Sequence, residues 1–389
     1  MLCVTRIFPN RAEPSFGPYN RKQLAALQGI GWEVAVVNPI PWFPGAGLFQ
    51  GKTRASLGAS VPRSDIISDL QVLHPRFIHI PRVTVLHPPF YAAGAFREVM
   101  ARRKGCDVIL SPFAYPDGVA SVLLGEALGL PVVIKLHGGD MNVAAQIPAA
   151  KRWLGWAFQR VARVVAVSYP LAQAAASFGV PWSKIAVVED GVDSSLFRIR
   201  DRAEAKKQIG LDPTRRQIVY VGRLERRKGT LELCEAFSLL ADRVPDVDLV
   251  LVGDGESTPQ CKEWMAKLGA RLVLAGEVSP DKVADYYCAS DITTLPSHAE
   301  GTPNSIIEAL ACGRPVVATH VGGIPDMIHH RRMGELIPPK DVPALVRAFE
   351  TALSTQYDPA EIVAATGRGT WHDSARCLAH VLEGAVGRQ

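Results

Sequence analysis

The sequence predicts an α/β protein of two doubly wound units, and three observations carry that expectation. Short apolar, β-rich runs alternate with helix-length patterns along most of the chain. One such alternation, Ser290 to Met327 (SDITTLPSHAEGTPNSIIEALACGRPVVATHVGGIPDM), reads as a complete βαβ unit: strands over 292–295 and 315–319 flank a single helix pattern. A chain of 389 residues, 48% apolar and 21% charged, is long enough for two domains with a core each.

In order, 2–8 predicts the first strand, 9–19 (PNRAEPSFGPY) a loop of turn formers, 20–29 a helix and 32–38 the next strand. This is the βαβ opening of a doubly wound sheet, whose ligands bind in loops at the carboxyl ends of the strands. Gly17 lies in that loop, where a turn with no ligand is one reading of it. From 39 to 93 the chain is rich in Pro, aromatics and Arg, with poor periodicity apart from runs at 70–73 and 77–80. Trp42, Phe43, Phe90 and Tyr91 offer surfaces for a sugar face or a lipid chain, although plain packing is the commoner fate of aromatics.

A buried strand over 107–110, a helix over 118–128 and a strand over 132–136 lead to His137-Gly138-Gly139-Asp140. A His at the carboxyl end of a parallel strand, followed by two glycines, has a backbone free to bring its imidazole close to a ligand. The segment 150–163 (AKRWLGWAFQRVAR) is a cationic amphipathic helix carrying Trp153, Trp156 and Phe158. Packing on the sheet is preferred to a membrane-surface role, with the Arg and Lys solvated. Strands over 164–168 and 185–188 enclose a helix over 171–178.

In the second half a strand over 218–221 is followed by Gly222, Arg223, Lys228 and Gly229. Two cations at the carboxyl end of a strand suit a diphosphate leaving group, and a solvated pair within the charged run 223–228 is the other reading. The chain's one Asp-x-Asp, Asp246-Val247-Asp248, precedes the strand over 249–252 and so belongs at the amino edge, away from ligands. Gly253-Asp254-Gly255 is a turn, 272–274 a strand, Gly276-Glu277-Val278 the loop after it and 281–289 a helix. In the central unit Thr302 is expected as helix N-cap with Pro303 at the first position. Asn304, Ser305 and Ile306 then present backbone N–H groups at the positive helix end, which receives phosphate. Glu308 leans back over the same end, and a carboxylate there suits a ribose or sugar diol. Gly322 and Gly323 either approach a ligand or only turn the chain. Helices over 344–353 and 374–382, the latter preceded by Trp371, close the chain.

No run of about 18 apolar residues is present, and the start MLCVTRIFPN reads as a strand rather than a signal peptide. Seven scattered cysteines without a CxxC pair favour reduced thiols, a cytoplasmic setting and no structural zinc. The net charge of +5 is uneven. Through Asp193 there are 19 Lys+Arg against 12 Asp+Glu, and beyond it 24 against 26. The basic first half attracts an anionic membrane surface or acceptor on one reading and serves solubility on the other.

The pattern Glu300-x7-Glu308, followed by ALACGRPVVAT and VGGIPD, closely resembles the retaining, nucleotide-sugar-dependent glycosyltransferases of family 4. Glu189-Asp190-Gly191-Val192-Asp193 resembles the signature between the family's two domains, which usually has Asn where Asp190 stands. The resemblance implies the GT-B fold, two Rossmann-like domains facing a central cleft: an acceptor domain over 1–195, a donor domain over 196–370, and a final helix over 371–389 returning to the first.

It also implies roles. Gly17 lets the backbone approach the donor phosphates, although Phe16-Gly17-Pro18 replaces the family's frequent pair of glycines. His137 faces the transferred sugar. Arg223 and Lys228, with Asn304, Ser305 and Ile306 at the helix end, hold the diphosphate; Glu308 holds the ribose and Glu300 the sugar hydroxyls, and Gly301 is a further donor-binding position. The glycine-rich turn at 253–255 also matches, and Gly276-Glu277-Val278 stands where the family's loop meets the base. His137, Arg223, Lys228 and Glu300 are the expected catalytic residues, with no metal and no cofactor. The opening Pro-x-Phe-Gly-Pro-Tyr-Asn-Arg resembles bacterial enzymes that build surface polysaccharides or glycolipids, with a lipid-linked or oligosaccharide acceptor, peripheral contact at the inner membrane face and no nucleic-acid partner. A nucleotide-sugar epimerase of the same fold and an inert nucleotide-sugar-binding partner subunit are the alternatives. An NAD-dependent oxidoreductase is excluded, because no G-x-G-x-x-G follows the first strand.

Overall fold

The structure is a computed structural model, and it describes residues 1–14, 16–43, 58–80, 83–138, 141 and 146–387. The chain forms two compact units, Met1–Gly191 with Gly369–Gln389, and Val192–Arg368. The first boundary thus falls at Gly191/Val192, a few residues before the expected position.

The first unit holds β1 (Leu2–Val4), β2 (Ala35–Val37), β3 (Ile40–Trp42), β4 (Ser64–Ile67), β5 (Leu70–Leu73), β6 (Arg76–Ile78), β7 (Ile109–Ser111), β8 (Val132–Leu136), β9 (Arg163–Ala166) and β10 (Ile185–Val187). Eight of them form one sheet in the order β10-β9-β8-β7-β1-β2-β5-β4, while β3 and β6 pair separately. Every pairing is parallel except that of β4 with β5. Strands such as β1 and β8 are buried on both faces, as parallel strands covered by helices must be. Lys135, in the middle of β8, is the exception to their apolar run.

The segment 39–93, whose periodicity is poor, contains four of these strands and the start of the helix His87–Arg102. Strands of three or four residues are too short to display a period. The buried stripe of the helix is Tyr91, Ala92, Ala95 and Val99, mostly small residues that signal weakly. Tyr91 is fully buried and donates to Asp117, so it packs, whereas Trp42 is exposed. The helix Pro148–Phe158 also packs: Ala150, Leu154, Ala157 and Phe158 enter the core of this unit, Lys151 and Arg152 stay in solvent, and the Arg160 guanidinium lies 4.8 Å above the Trp156 ring.

The last helix, Trp371–Val386, is fixed by a capping box between Thr370 and Asp373. It buries Ala375, Leu378, Ala379 and Leu382 against Leu24 and Leu27 of the helix Pro18–Gly29. A Cβ at Gly191 would sit 2.3 Å from the Trp371 backbone nitrogen, which accounts for the glycine of Glu-Asp-Gly.

The second unit carries β11 (Arg216–Val221), β12 (Val247–Val252), β13 (Leu272–Gly276), β14 (Ile292–Leu295), β15 (Val316–Thr319) and β16 (Gly334–Ile337), all parallel, in the order β13-β12-β11-β14-β15-β16. From β11 the chain winds one way through β12 and β13, then returns to lay β14, β15 and β16 on the other side. The β11/β14 boundary is therefore the topological switch point, the place where ligands bind in open α/β sheets.

Candidate active site

The loops leaving β11 and β14 meet at that switch point. Lys228 follows β11 and Glu300 follows β14, and Lys228 Nζ lies 2.5 Å from Glu300 Oε1. Both side chains are largely withdrawn from water, at 17% and 8% exposure. Ser297 Oγ donates to the same carboxylate oxygen at 2.6 Å. Glycine is required at the base of the loop: a Cβ at Gly229, whose φ is +69°, would fall 2.0 Å from the Pro296 carbonyl oxygen.

Arg223 is placed differently. Its guanidinium is 75% exposed and sits 2.8 Å from Glu225, which also holds Arg227. The two cations thus occupy unlike positions, Lys228 against the buried carboxylate and Arg223 in solvent. The turn at 222–224 docks backbone to backbone on the turn at 253–255. A Cβ at Gly253 would lie 2.0 Å from the Gly222 oxygen, one at Gly255 2.4 Å from the Leu224 oxygen, and Leu224 N donates to Asp254 O at 3.0 Å. The Gly-Asp-Gly turn is thereby explained by packing at the carboxyl edges of β11 and β12.

The helix after Glu300 begins one residue later than expected. It runs Asn304–Ala311 with Pro303, in extended conformation, as N-cap, and Thr302 makes no capping bond. Proline at the cap offers no N–H of its own, and its carbonyl accepts from Ile306 N at 3.1 Å. Ile306 is therefore not one of the unpaired amides, and its side chain is buried. Thr302 Oγ1 and Asn304 Oδ1 are both buried with no hydrogen-bond partner among the described residues, which is unusual for buried polar atoms. Glu308, one turn beyond Asn304, accepts from the Tyr287 hydroxyl at 3.4 Å. Gly322 and Gly323 support the Glu300 loop from behind: a Cβ at Gly322 would lie 2.0 Å from Glu300 O, and Gly323 N donates to Gly301 O at 2.8 Å.

Asp246 and Asp248 are committed to Arg216 and Arg215, with contacts of 2.7 and 2.6 Å at the amino end of β12. Among the described residues no three His, Cys, Asp or Glu side chains converge as a metal site.

In the first unit, Gly17 adopts left-handed φ, +69°, at the start of the helix Pro18–Gly29, and a Cβ there would meet Ile7 O at 2.6 Å. His137 follows β8, with Gly139 and Asp140 of its motif outside the described residues. Its ring centroid is 4.6 Å from that of Tyr19, and its Nδ1 is 3.8 Å from Asp190 Oδ2. Burial pushes the imidazole down to about 3, against an opposing pull from Asp190 and with help from Lys135.

The unfolded His takes a proton near its usual value of about 6.5, whereas the folded one stays neutral down to about 3. The unfolded chain thus binds more protons across that window. Stability from this residue is complete above about 6.5 and is lost as pH falls toward 3. The expected loss by about pH 5 is on the order of 2 kcal/mol. Urea unfolding at pH 7.5 and pH 5 should show a smaller pH effect in His137→Gln than in the wild type.

The chain matches known proteins over most of its length. A family model described as Glycosyltransferase Family 4 matches residues 21–196, and one described as Glycosyl transferases group 1 matches residues 215–355. TuaC of Bacillus subtilis, assigned as a teichuronic acid biosynthesis glycosyltransferase, is 32% identical over 372 residues, covering 93% of this chain and 90% of TuaC. The chain belongs to the family 4, group 1 glycosyltransferases. N-acetyl-alpha-D-glucosaminyl L-malate synthase of Bacillus anthracis is a further relative, 28% identical over 64% of this chain and 66% of its own length. The glycosyltransferase has the GT-B fold. It superposes on sucrose-phosphate synthase from Thermosynechococcus elongatus with a TM-score of 0.76 at 21% identity, covering 100% and 99% of the two chains. It also superposes on Anabaena HepE in complex with UDP, with a TM-score of 0.74 at 19% identity and 98% and 99% coverage.

Sequence reasoning missed several residues that hold this glycosyltransferase's candidate site in place. Ser297 and Tyr287 brace Glu300 and Glu308, and Lys135 and Tyr19 stand near His137. Ser297 had no distinguishing signal, but a lysine inside a buried parallel strand is itself a signal, because an unpaired charge does not survive there.

Proposed function

We propose that this glycosyltransferase is retaining and metal-independent, moving a sugar from a nucleoside-diphosphate-sugar to an acceptor hydroxyl in the biosynthesis of a cell-surface polysaccharide or glycolipid. The observation that carries the reading is the Lys228–Glu300 contact at the switch point of the second unit. The helix that starts at Asn304 follows close behind it, and buried oxygens of Thr302 and Asn304 have no partner among the described residues. The naming of TuaC for teichuronic acid biosynthesis and the UDP complex of HepE support the acceptor class and the donor class respectively.

On this reading Lys228 and the amides of Asn304 and Ser305 receive the diphosphate, Glu300 takes the sugar hydroxyls and Glu308 the ribose. Arg223 joins the diphosphate by rotating off Glu225. His137 faces the donor sugar, and Gly17 lets backbone approach its phosphates. The anomeric C–O bond breaks with its electron pair going to the β-phosphate oxygen. The acceptor oxygen bonds the same face of the anomeric carbon, and its proton passes to the departing phosphate. Positive side chains and a helix dipole stabilise the leaving group in place of a divalent ion.

A thermal-shift screen against UDP-, GDP- and ADP-sugars is the direct test, since a donor at about one hundred times its Kd adds about 2.7 kcal/mol of stability. One of the three is expected to raise Tm by several degrees, and activity with it should survive a chelator. No shift with any of them, or activity abolished by chelator and restored by manganese, would count against the proposal.

A further inference from the structure

We propose that Lys135 and Asp190 form a buried, mutually neutralised pair that orients the His137 imidazole and keeps it uncharged, with Nδ1–H directed to Asp190 and Nε2 as an acceptor. Lys135 is then a positioning residue for the transfer reaction, a role that rests on the reading of His137 given above. Lys135 is 1% exposed and Asp190 4%, with Lys135 Nζ 2.7 Å from Asp190 Oδ1. The ammonium also donates to Gln23 Oε1 at 2.9 Å. Ser374 Oγ in the final helix lies 3.1 Å from that same oxygen and 2.6 Å from Glu189 O. The second carboxylate oxygen of Asp190 faces His137 Nδ1 at 3.8 Å. Strand β8, the helix Pro18–Gly29, the segment before Gly191 and the last helix therefore converge on one polar cluster.

The charge balance explains why both residues are present. A lone carboxylate beside an imidazole favours the imidazolium, and a lone buried ammonium opposes it. Here the two act together, with the Tyr19 ring centroid 4.6 Å from that of the imidazole, so burial decides and the ring stays neutral. A neutral imidazole carries one N–H and one lone pair, and the carboxylate draws the N–H to Nδ1. The other nitrogen is then an acceptor suited to a sugar hydroxyl. The buried Asp190 carboxylate is tolerable only with a cation beside it, and Lys135 supplies it.

The test uses the full-length protein with labelled histidine, the His137 signals being assigned by their loss in His137→Gln. In the wild type they should report the neutral Nδ1–H tautomer and not titrate between pH 5 and 8.5. In Lys135→Met, Asp190 faces the ring without the ammonium that balances it, and His137 should titrate inside that range. In the double variant Lys135→Met/Asp190→Asn both charges are gone and the titration should vanish again. The kcat profile of Lys135→Met should gain an acid limb falling about tenfold per pH unit below the new midpoint, with the donor KM little changed. A His137 that stays silent in folded Lys135→Met, or an Nε2–H tautomer in the wild type, overturns the proposal, and the second of these needs no variant to fold. Titration in Lys135→Met without an acid limb in kcat supports the pair's control of His137 and instead sinks the reading that His137 acts in transfer.

Discussion

Lys228→Ala is expected to lower kcat about a thousandfold while leaving the protein folded. On the proposed reading Lys228 is a donor aimed at developing negative charge; removing one such donor in a withdrawn site typically lowers kcat by about 10² to 10³, and here the change has a second effect. Glu300 is 8% exposed and 2.5 Å from the ammonium. In the variant the carboxylate loses its ammonium partner, keeps the Ser297 contact and presents more negative charge to an incoming diphosphate. Donor KM should therefore rise as kcat falls. The double variant Lys228→Ala/Glu300→Gln should recover part of the lost donor affinity and little of the lost turnover, because the amide no longer repels phosphate but nothing replaces the cation. Steady-state kinetics and far-UV circular dichroism read both parts. Turnover within tenfold of the wild type in a folded Lys228→Ala variant would remove this lysine from the mechanism.

The contrast between Lys228 and Arg223 marks where the sequence stops being informative. Both follow β11 within a short polar run, and spacing alone treats them alike. What separates them is Glu225, which ties Arg223 and Arg227 in solvent and leaves Lys228 to turn inward. Longer strands of the second unit were readable because they are buried on both faces and written in Val, Ile and Leu, as in VDLVLV of β12. The strands of the 39–93 segment were not, since β3 and β6 hold three residues each and pair only with one another. The helix at Asn304 was misplaced by one residue because Thr-Pro is a common cap-plus-first-turn signal; the extended backbone at Pro303 puts the proline itself at the cap. The cluster around His137 was out of reach for another reason. Gln23, Lys135, Asp190 and Ser374 are far apart in the chain; the first three meet around β8, and the return of the final helix adds Ser374.

Gly322→Ala is expected to destabilise the second unit by at least about 3 kcal/mol and lower its Tm by roughly 6–12 °C, with kcat falling about a hundredfold. Two effects combine. The residue sits at φ +57°, where a Cβ is strained, and that Cβ would stand 2.0 Å from the carbonyl oxygen of Glu300. Backbone cannot swing aside as a side chain does, so the loop carrying Glu300 must shift, and a displacement of about 1 Å at a reacting group is worth about 10² in rate. Gly367→Ala separates the two effects. Gly367 lies in the same unit with the same φ of +57°, but a Cβ there has nothing within 4 Å, so only the strain of about 1 kcal/mol applies and kcat should hold. If both variants lose the same few degrees and Gly322→Ala keeps its turnover, then Gly322 only turns the chain, and Glu300 is held by Lys228 and Ser297 without help from the loop behind it.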